Sequence, residues 1–255
     1  MYDFEPTIKP IVAVFIISLW PLGQTANGAV ILESELRRVN VFADVFTGAG
    51  SDSEVVFEES AGDFSNFDES IEGVATFQNA LAEGTAQQRS LISTTSISAS
   101  GMVTGNSDVS FHDPHLGTVA STVAQSYFSV DFQVATPQFF DLSGIVSSSF
   151  SSGIPVTDAD ATLRNQDGSF NLSFSSRGRE MTPFDTSGTL FPDTYSIFAR
   201  ANISAVAFGI NPTVTGTAEF SLDFQVTPVP IPAAIWLFAF GLLGLIGIAR
   251  KKRAA

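Results

Sequence analysis

Alternation with a period of two runs through most of this 255-residue chain, and it restricts the fold more than any other feature. Val39-Asn-Val-Phe-Ala-Asp-Val-Phe46 is one example, and Phe170-Asn-Leu-Ser-Phe174 is another. Successive side chains of a strand point to opposite faces, so such runs are strands with one face in a core. Ser, Thr, Val, Ile and Phe fill most positions, and the branched and aromatic types suit a pleated surface. Strands are expected at Val39–Phe46, Glu54–Glu58, Leu91–Ser98, Gly101–Gly105, Phe139–Ile145, Phe170–Phe174, Tyr195–Phe208 and Thr213–Val226, with one or two more over Ala120–Thr136. Asn165-Gln-Asp-Gly168 reads as a hairpin turn, Gly168 supplying the positive φ. Asp63–Phe77 reads as a strand or a short helix. Ile71, Val74, Phe77 and Leu81 have helical spacing, but Gly73 and Gly84 oppose a stable helix.

One run occurs twice. Phe128-Ser-Val-Asp-Phe-Gln-Val134 and Phe220-Ser-Leu-Asp-Phe-Gln-Val226 agree at six of seven positions, 92 residues apart. In each copy the apolar residues share one face, and Ser, Asp and Gln the other. Two core strands of one sheet with a common bias would read this way, and so would equivalent strands of a duplicated half-domain. The sum is an all-β protein, an antiparallel β-sandwich of jelly-roll-like character.

Charge and cysteine content narrow the function. Between Ala29 and Thr227 there are seven arginines, no lysine and 24 acids, which leaves a net charge of −17. Such a field repels nucleic acid, whose binding requires phosphate neutralisation by Lys and Arg. With no cysteine, disulfides and thiolate chemistry are excluded and stability must come from packing. Twenty phenylalanines in this span supply the apolar area.

Motifs for catalysis are absent: there is no Gly-x-Ser-x-Gly elbow, H-E-x-x-H helix or phosphate loop. His112-Asp-Pro-His115 holds both histidines, but Pro114 makes it a turn, and zinc would need a further ligand that no spacing identifies. Asp158 and Asp160 are read in a loop after Pro155. Alternate carboxylates can point at one hard cation, so they are the metal-ligand candidates, with calcium the cofactor that would suit them. The run Glu58-Glu59…Asp63…Asp68-Glu69…Glu72 is read as a solvated face. Asn171-Leu-Ser and Asn202-Ile-Ser fit the glycosylation pattern and are read as strand residues.

The two ends speak of export. Ile11–Leu22 is an apolar segment too short to span a bilayer comfortably, followed by small residues, and a signal peptide over 1–28 is expected, with cleavage after Gly28 or Ala29. Its basic region is poor, since Asp3 and Glu5 outweigh Lys9. The Sec translocon and signal peptidase are the partners this implies. At the other end Ala233–Ala249 carries no charge, and as a helix it would span roughly 25 Å, enough for a bilayer core. Arg250-Lys-Lys-Arg253 would hold that end in the cytoplasm. The exported body is then 29–227 and the tail 228–255.

Val229-Pro-Ile-Pro-Ala233, the apolar segment and the basic end stand in fixed order, with Trp236 and Gly241-Leu-Leu-Gly244 inside the segment. That order resembles the C-terminal sorting signal of PEP-CTERM proteins, in its VPLPA variant, with Ile231 in place of Leu. The resemblance covers about 28 residues. It implies an exosortase as the partner that reads Val229, Pro230, Ile231, Pro232 and Ala233. It also implies a single-pass inner-membrane intermediate, then delivery to the envelope or beyond, in association with exopolysaccharide. The expectation is a non-enzymatic structural or adhesive protein. A calcium-dependent, lectin-like carbohydrate-binding module and a secreted hydrolase with paired carboxylates are the alternatives.

Overall fold

The structure is a computed structural model and describes residues 29–60, 62–78, 80–109, 117–153, 155–208 and 213–229. Twelve strands make two six-stranded antiparallel sheets packed face to face, a β-sandwich. Sheet A has the order β2 (Gly50–Glu59), β1 (Ile31–Thr47), β6 (Val119–Val134), β11 (Asp193–Phe208), β8 (Val156–Asn165), β9 (Asn171–Arg177). Sheet B runs β10 (Glu180–Leu190), β7 (Gln138–Ser152), β12 (Thr213–Pro228), β5 (Ser96–Val109), β4 (Ala80–Ile92), β3 (Phe67–Phe77). The expected strands are present and mostly longer, except that Leu91–Ser98 is not one strand. No helix occurs among the described residues, so none there could cross a membrane. The apolar ends expected to be helical lie outside them, and of the motif Val229–Ala233 only Val229, which follows β12, is described.

Two open readings resolve and two change. Asp63–Phe77 is no helix: β3 takes its second part, and the three-to-four spacing is incidental to a strand whose inner face carries Gly73 and Ala75. Leu91–Ser98 is broken by a turn at 93–95, where Ser93 Oγ accepts the Ser96 N–H at 3.0 Å. Ala120–Thr136 is one strand. The sequence around Asp158 and Asp160 is strand β8, not a loop, because Thr157, Ala159, Ala161 and Leu163 alternate inward. Strand β10 had no expectation at all; Pro183 and Gly188 hide it, and as an edge strand it tolerates a proline.

The two copies of the repeated run lie in opposite sheets, not in one. Each ends the third strand of its sheet. β6 is flanked by β1 and β11, and β12 by β7 and β5, so counting six strands onward exchanges the two central trios. Phe132 and Phe224, equivalent positions of the copies, meet across the core with ring centroids 5.4 Å apart. The outer strands break the equivalence, since β2 and β8 both belong to sheet A.

The core tapers. Near the pole where β1 begins and β12 ends it is aromatic, with Phe132, Phe140, Phe170, Tyr195 and Phe224 linked by ring contacts. At the far pole it is built from Ala43, Val45, Ala75, Ala82, Ala205 and Val214. Between them Gly73, Gly84, Gly105 and Gly216 stand in register across four strands of sheet B. All four face inward. A Cβ on Gly84 would lie 2.7 Å from Thr122 Cγ2, and one on Gly216 would lie 2.8 Å from Thr157 Cγ2. The row lets sheet B sink toward sheet A there.

The seam between β2 and β3 is closed by side chains. Glu54 accepts the Val74 N–H at 2.6 Å, and Asp52 accepts the Thr76 N–H at 2.8 Å. These carboxylates occupy the donors of an edge that would otherwise be open to pairing. At the opposite pole the Val30 N–H donates to Thr94 O and the Val226 N–H to Thr95 O. The first and last described strands are thus fastened to one hairpin turn.

Candidate functional site

The outer face of sheet B is built from the polar half of each alternating strand. Small hydroxyl residues dominate it: Thr85 on β4, Ser98, Ser100 and Thr104 on β5, Thr213, Thr215, Thr217 and Ser221 on β12. Hydrogen bonds run across the strands. Thr85 and Thr104 hydroxyls are 2.8 Å apart, Asn106 Nδ2 donates to Glu83 Oε1 at 3.0 Å, and Thr215 Oγ1 donates to Asn106 Oδ1 at 3.0 Å. Thr213 donates to Asp108 one row further.

Two grooves lie on this face. One, of about 460 Å³, is lined by Glu72, Glu83, Thr85, Thr104, Asn106, Thr215 and Thr217, and its floor is the backbone of Gly84, Gly105 and Gly216. The glycine row therefore has a consequence outside the core: where the sheet sinks inward, its outer surface becomes a trough. A neighbouring groove of about 430 Å³ is lined by Asp68, Gln87, Arg89, Ser100, Met102, Glu219 and Ser221. Arg89 holds Asp68 there through Nη2 at 2.7 Å, with both side chains largely in water. Together they make a polar track across β3, β4, β5 and β12, rich in donors and acceptors and poor in rings.

Glycine inside an alternating strand signals a bulge or a close approach, and that signal was available at all four positions. Their alignment was not, because register between strands is absent from a single sequence.

Asp158 and Asp160 lie on the outer face of sheet A, opposite Asn202 and Arg200 of β11. Arg200 Nη2 donates to Asp158 Oδ2 at 3.0 Å and to Asp160 Oδ1 at 2.8 Å, and Nε donates to Asp160 at 3.1 Å. Asn202 Nδ2 donates to Asp158 Oδ1 at 3.0 Å, and Asn202 Oδ1 accepts from Gln125 Nε2 at 3.0 Å. The two carboxylates do share a cation, and it is a guanidinium. A metal ion bridging them would have to displace Arg200. Partial burial raises the Asp160 carboxyl above its ordinary value against the pull of Arg200. Among the described residues no group of three or more His, Cys, Asp or Glu could hold a metal ion. Residues 58, 59, 63, 68, 69 and 72 are exposed, as expected of a solvated face. His112, Asp113 and His115 lie outside the described residues, as do Pro230, Ile231, Pro232, Ala233 and the cluster Arg250, Lys251, Lys252 and Arg253.

No family model matches the chain, and no curated protein does. Among solved structures it is similar to infectious bursal disease virus Gt strain, at 12% identity over 89% of this chain and 90% of that one, with a TM-score of 0.18. The VP2 subviral particle of the same virus aligns at 12% identity over 88% and 89%, with a TM-score of 0.18. The Gx strain gives 11% over 84% and 74%, with a TM-score of 0.19. Likenesses at these scores carry no argument about fold or function.

Proposed function

We propose that the chain is an exported cell-envelope or extracellular-matrix protein whose β-sandwich is a structural, adhesive element for extracellular polysaccharide. In this reading an exosortase acts on the tail through Val229–Ala233. A signal-peptide helix and a membrane helix flank a jelly-roll-like body, and Arg250–Arg253 keeps the tail end cytoplasmic. The fastening of both described ends to one turn supports a tethered body that projects from the membrane by its far pole.

The observation that carries the adhesive part is the trough over the glycine row. A glycan offers many hydroxyls, each donor and acceptor, and the trough answers with hydroxyl, carboxamide and carboxylate groups at strand spacing. It is shallow and crosses four strands, which suits a chain better than a compact metabolite.

The test is binding of the full chain to the exopolysaccharide of its own host, with and without calcium. Thr85→Trp and Thr217→Trp, which fill the trough from outside, should weaken binding at least about tenfold, the loss of a few contacts. Ser129→Trp on sheet A should not. Equal binding by all variants refutes the trough as the site. A requirement for calcium would mark the lectin-like form of the idea. Release of reducing sugar, lost in Glu72→Gln or Glu83→Gln, would point to a hydrolase instead. In the same host Pro230→Ala with Pro232→Ala should leave full-length protein in the inner membrane, and unchanged sorting would refute the tail reading.

A further inference from the structure

The outer face of sheet A differs in kind from that of sheet B. Toward the far pole it carries Phe42, Phe46, Val55, Phe57, Val206 and Phe208, all exposed, with Val156 beside them on β8. Register joins them: Val55 faces Phe42, Phe42 faces Val123, and Phe46 faces Val119, which faces Phe208. Phe57 is 64% exposed and Val55 63%, on a strand that could have been polar at both positions. Taking 150–250 Å² for a whole aromatic side chain, the seven exposed residues present roughly 600 Å² of apolar surface.

Charge is arranged in the opposite sense. Sheet B's outer face holds Glu72, Glu83, Asp108, Glu219 and Asp223 among others, with Arg89 to offset them. On the outer face of the far half of sheet A the carboxylates are Asp44 and Asp158, the second already paired with Arg200. Glu59 lies at the border opposite Arg38, while Asp52 and Glu54 turn to the β2–β3 seam. Acids are sparse on this half of the face, although Asp131 and Asp160 lie further along it toward the other pole.

We propose that this face is where a second copy of the same chain docks, sheet A against sheet A. The area fits: a standard interface takes about 800 Å² per partner, little more than half of it apolar. The charge fits as well. Two copies of an acidic chain repel except where acids are few, and this face is such a place. An isologous pairing covers the phenylalanines of both copies at once and turns both acidic faces outward.

The chain lacks cysteine, so single introduced thiols report the contact. In the full chain in mild detergent, Ser53→Cys and Ser121→Cys should give disulfide-linked dimers under oxidation, and Ser221→Cys on sheet B should not. Sedimentation should give a dimer for the unaltered chain and a monomer for Phe42→Asp and Phe57→Asp, with the strand circular dichroism kept. Should either fail to fold, Val55→Asp, at an equally exposed site, serves in its place. A monomeric unaltered chain overturns the proposal, whether its patch is bare or covered by another segment of the chain. So does a dimer that survives the aspartates, which would assign association to the apolar tail, or cross-linking from sheet B. None of these results depends on polysaccharide binding.

Discussion

At the scale of single residues, the pairing of Asp158 and Asp160 shows what position does to a carboxylate. Asp167, in the β8–β9 turn, accepts the Ser169 N–H at 2.8 Å and is held below the ordinary 3.8. Asp160, half-buried on a strand, is held above it by desolvation. The two act oppositely on stability. A carboxyl with a depressed folded value contributes stability above the unfolded value and loses it as pH falls. For Asp160 the folded state holds its proton more tightly than the unfolded chain, so its contribution is favourable at low pH. That contribution shrinks as pH rises just above 3.8. Asp160→Asn should therefore gain stability relative to the parent as pH rises through that window. At neutral pH it should change stability by no more than about 1 kcal/mol, because the Arg200 pair it loses is partly in water. Urea melts of both proteins from acid to neutral pH check this; a variant that loses stability relative to the parent as pH rises through the window would contradict it. The sequence showed the alternation of the two acids and suggested a metal, because Arg200, forty residues on, is a neighbour only in the folded sheet.

At the scale of elements, the alternation made most strands legible and left their partners hidden. β1, β6, β11 and β12 are long, bury a regular inner face, and could be read directly. β8 was missed because its inner positions are Thr157, Ala159 and Ala161, too small to advertise a core, and β10 because its proline and glycine imitate a loop. The repeated run was legible as words but not as geometry. Its placement on equivalent strands of facing sheets makes Phe132 and Phe224 a mutual contact, 0% and 1% exposed. Phe132→Leu and Phe224→Leu should then cost similar amounts, about 1–3 kcal/mol each. The double variant should depart from additivity by about 0.5–1.5 kcal/mol, as contacting rings do. Strict additivity in chemical denaturation would show that the two positions, though alike in sequence, do not sense each other.

At the scale of the whole molecule, the sandwich has two unlike faces and two unlike poles. One pole fastens the start of β1 and the end of β12, and β6, with 16 residues, reaches roughly 50 Å toward the other. The apolar face lies toward that far pole, and the trough crosses the opposite sheet. If pairing covers the apolar face, a dimer carries two troughs facing away from each other, which no monomer can offer. Each trough alone would hold a polysaccharide weakly, as shallow polar surfaces do. Two on one rigid body raise the effective concentration of the second contact and let one dimer join two strands. The dimer should therefore gel or precipitate the polysaccharide at concentrations where Phe57→Asp does not, although the variant keeps the same affinity for a short oligosaccharide. Light scattering of mixtures, beside calorimetry with the oligosaccharide, separates the two quantities. Equal scattering by dimer and variant would mean that cross-linking does not arise from paired troughs. Equal loss of scattering and of oligosaccharide affinity in the variant would mean that the patch, not the trough, touches the sugar.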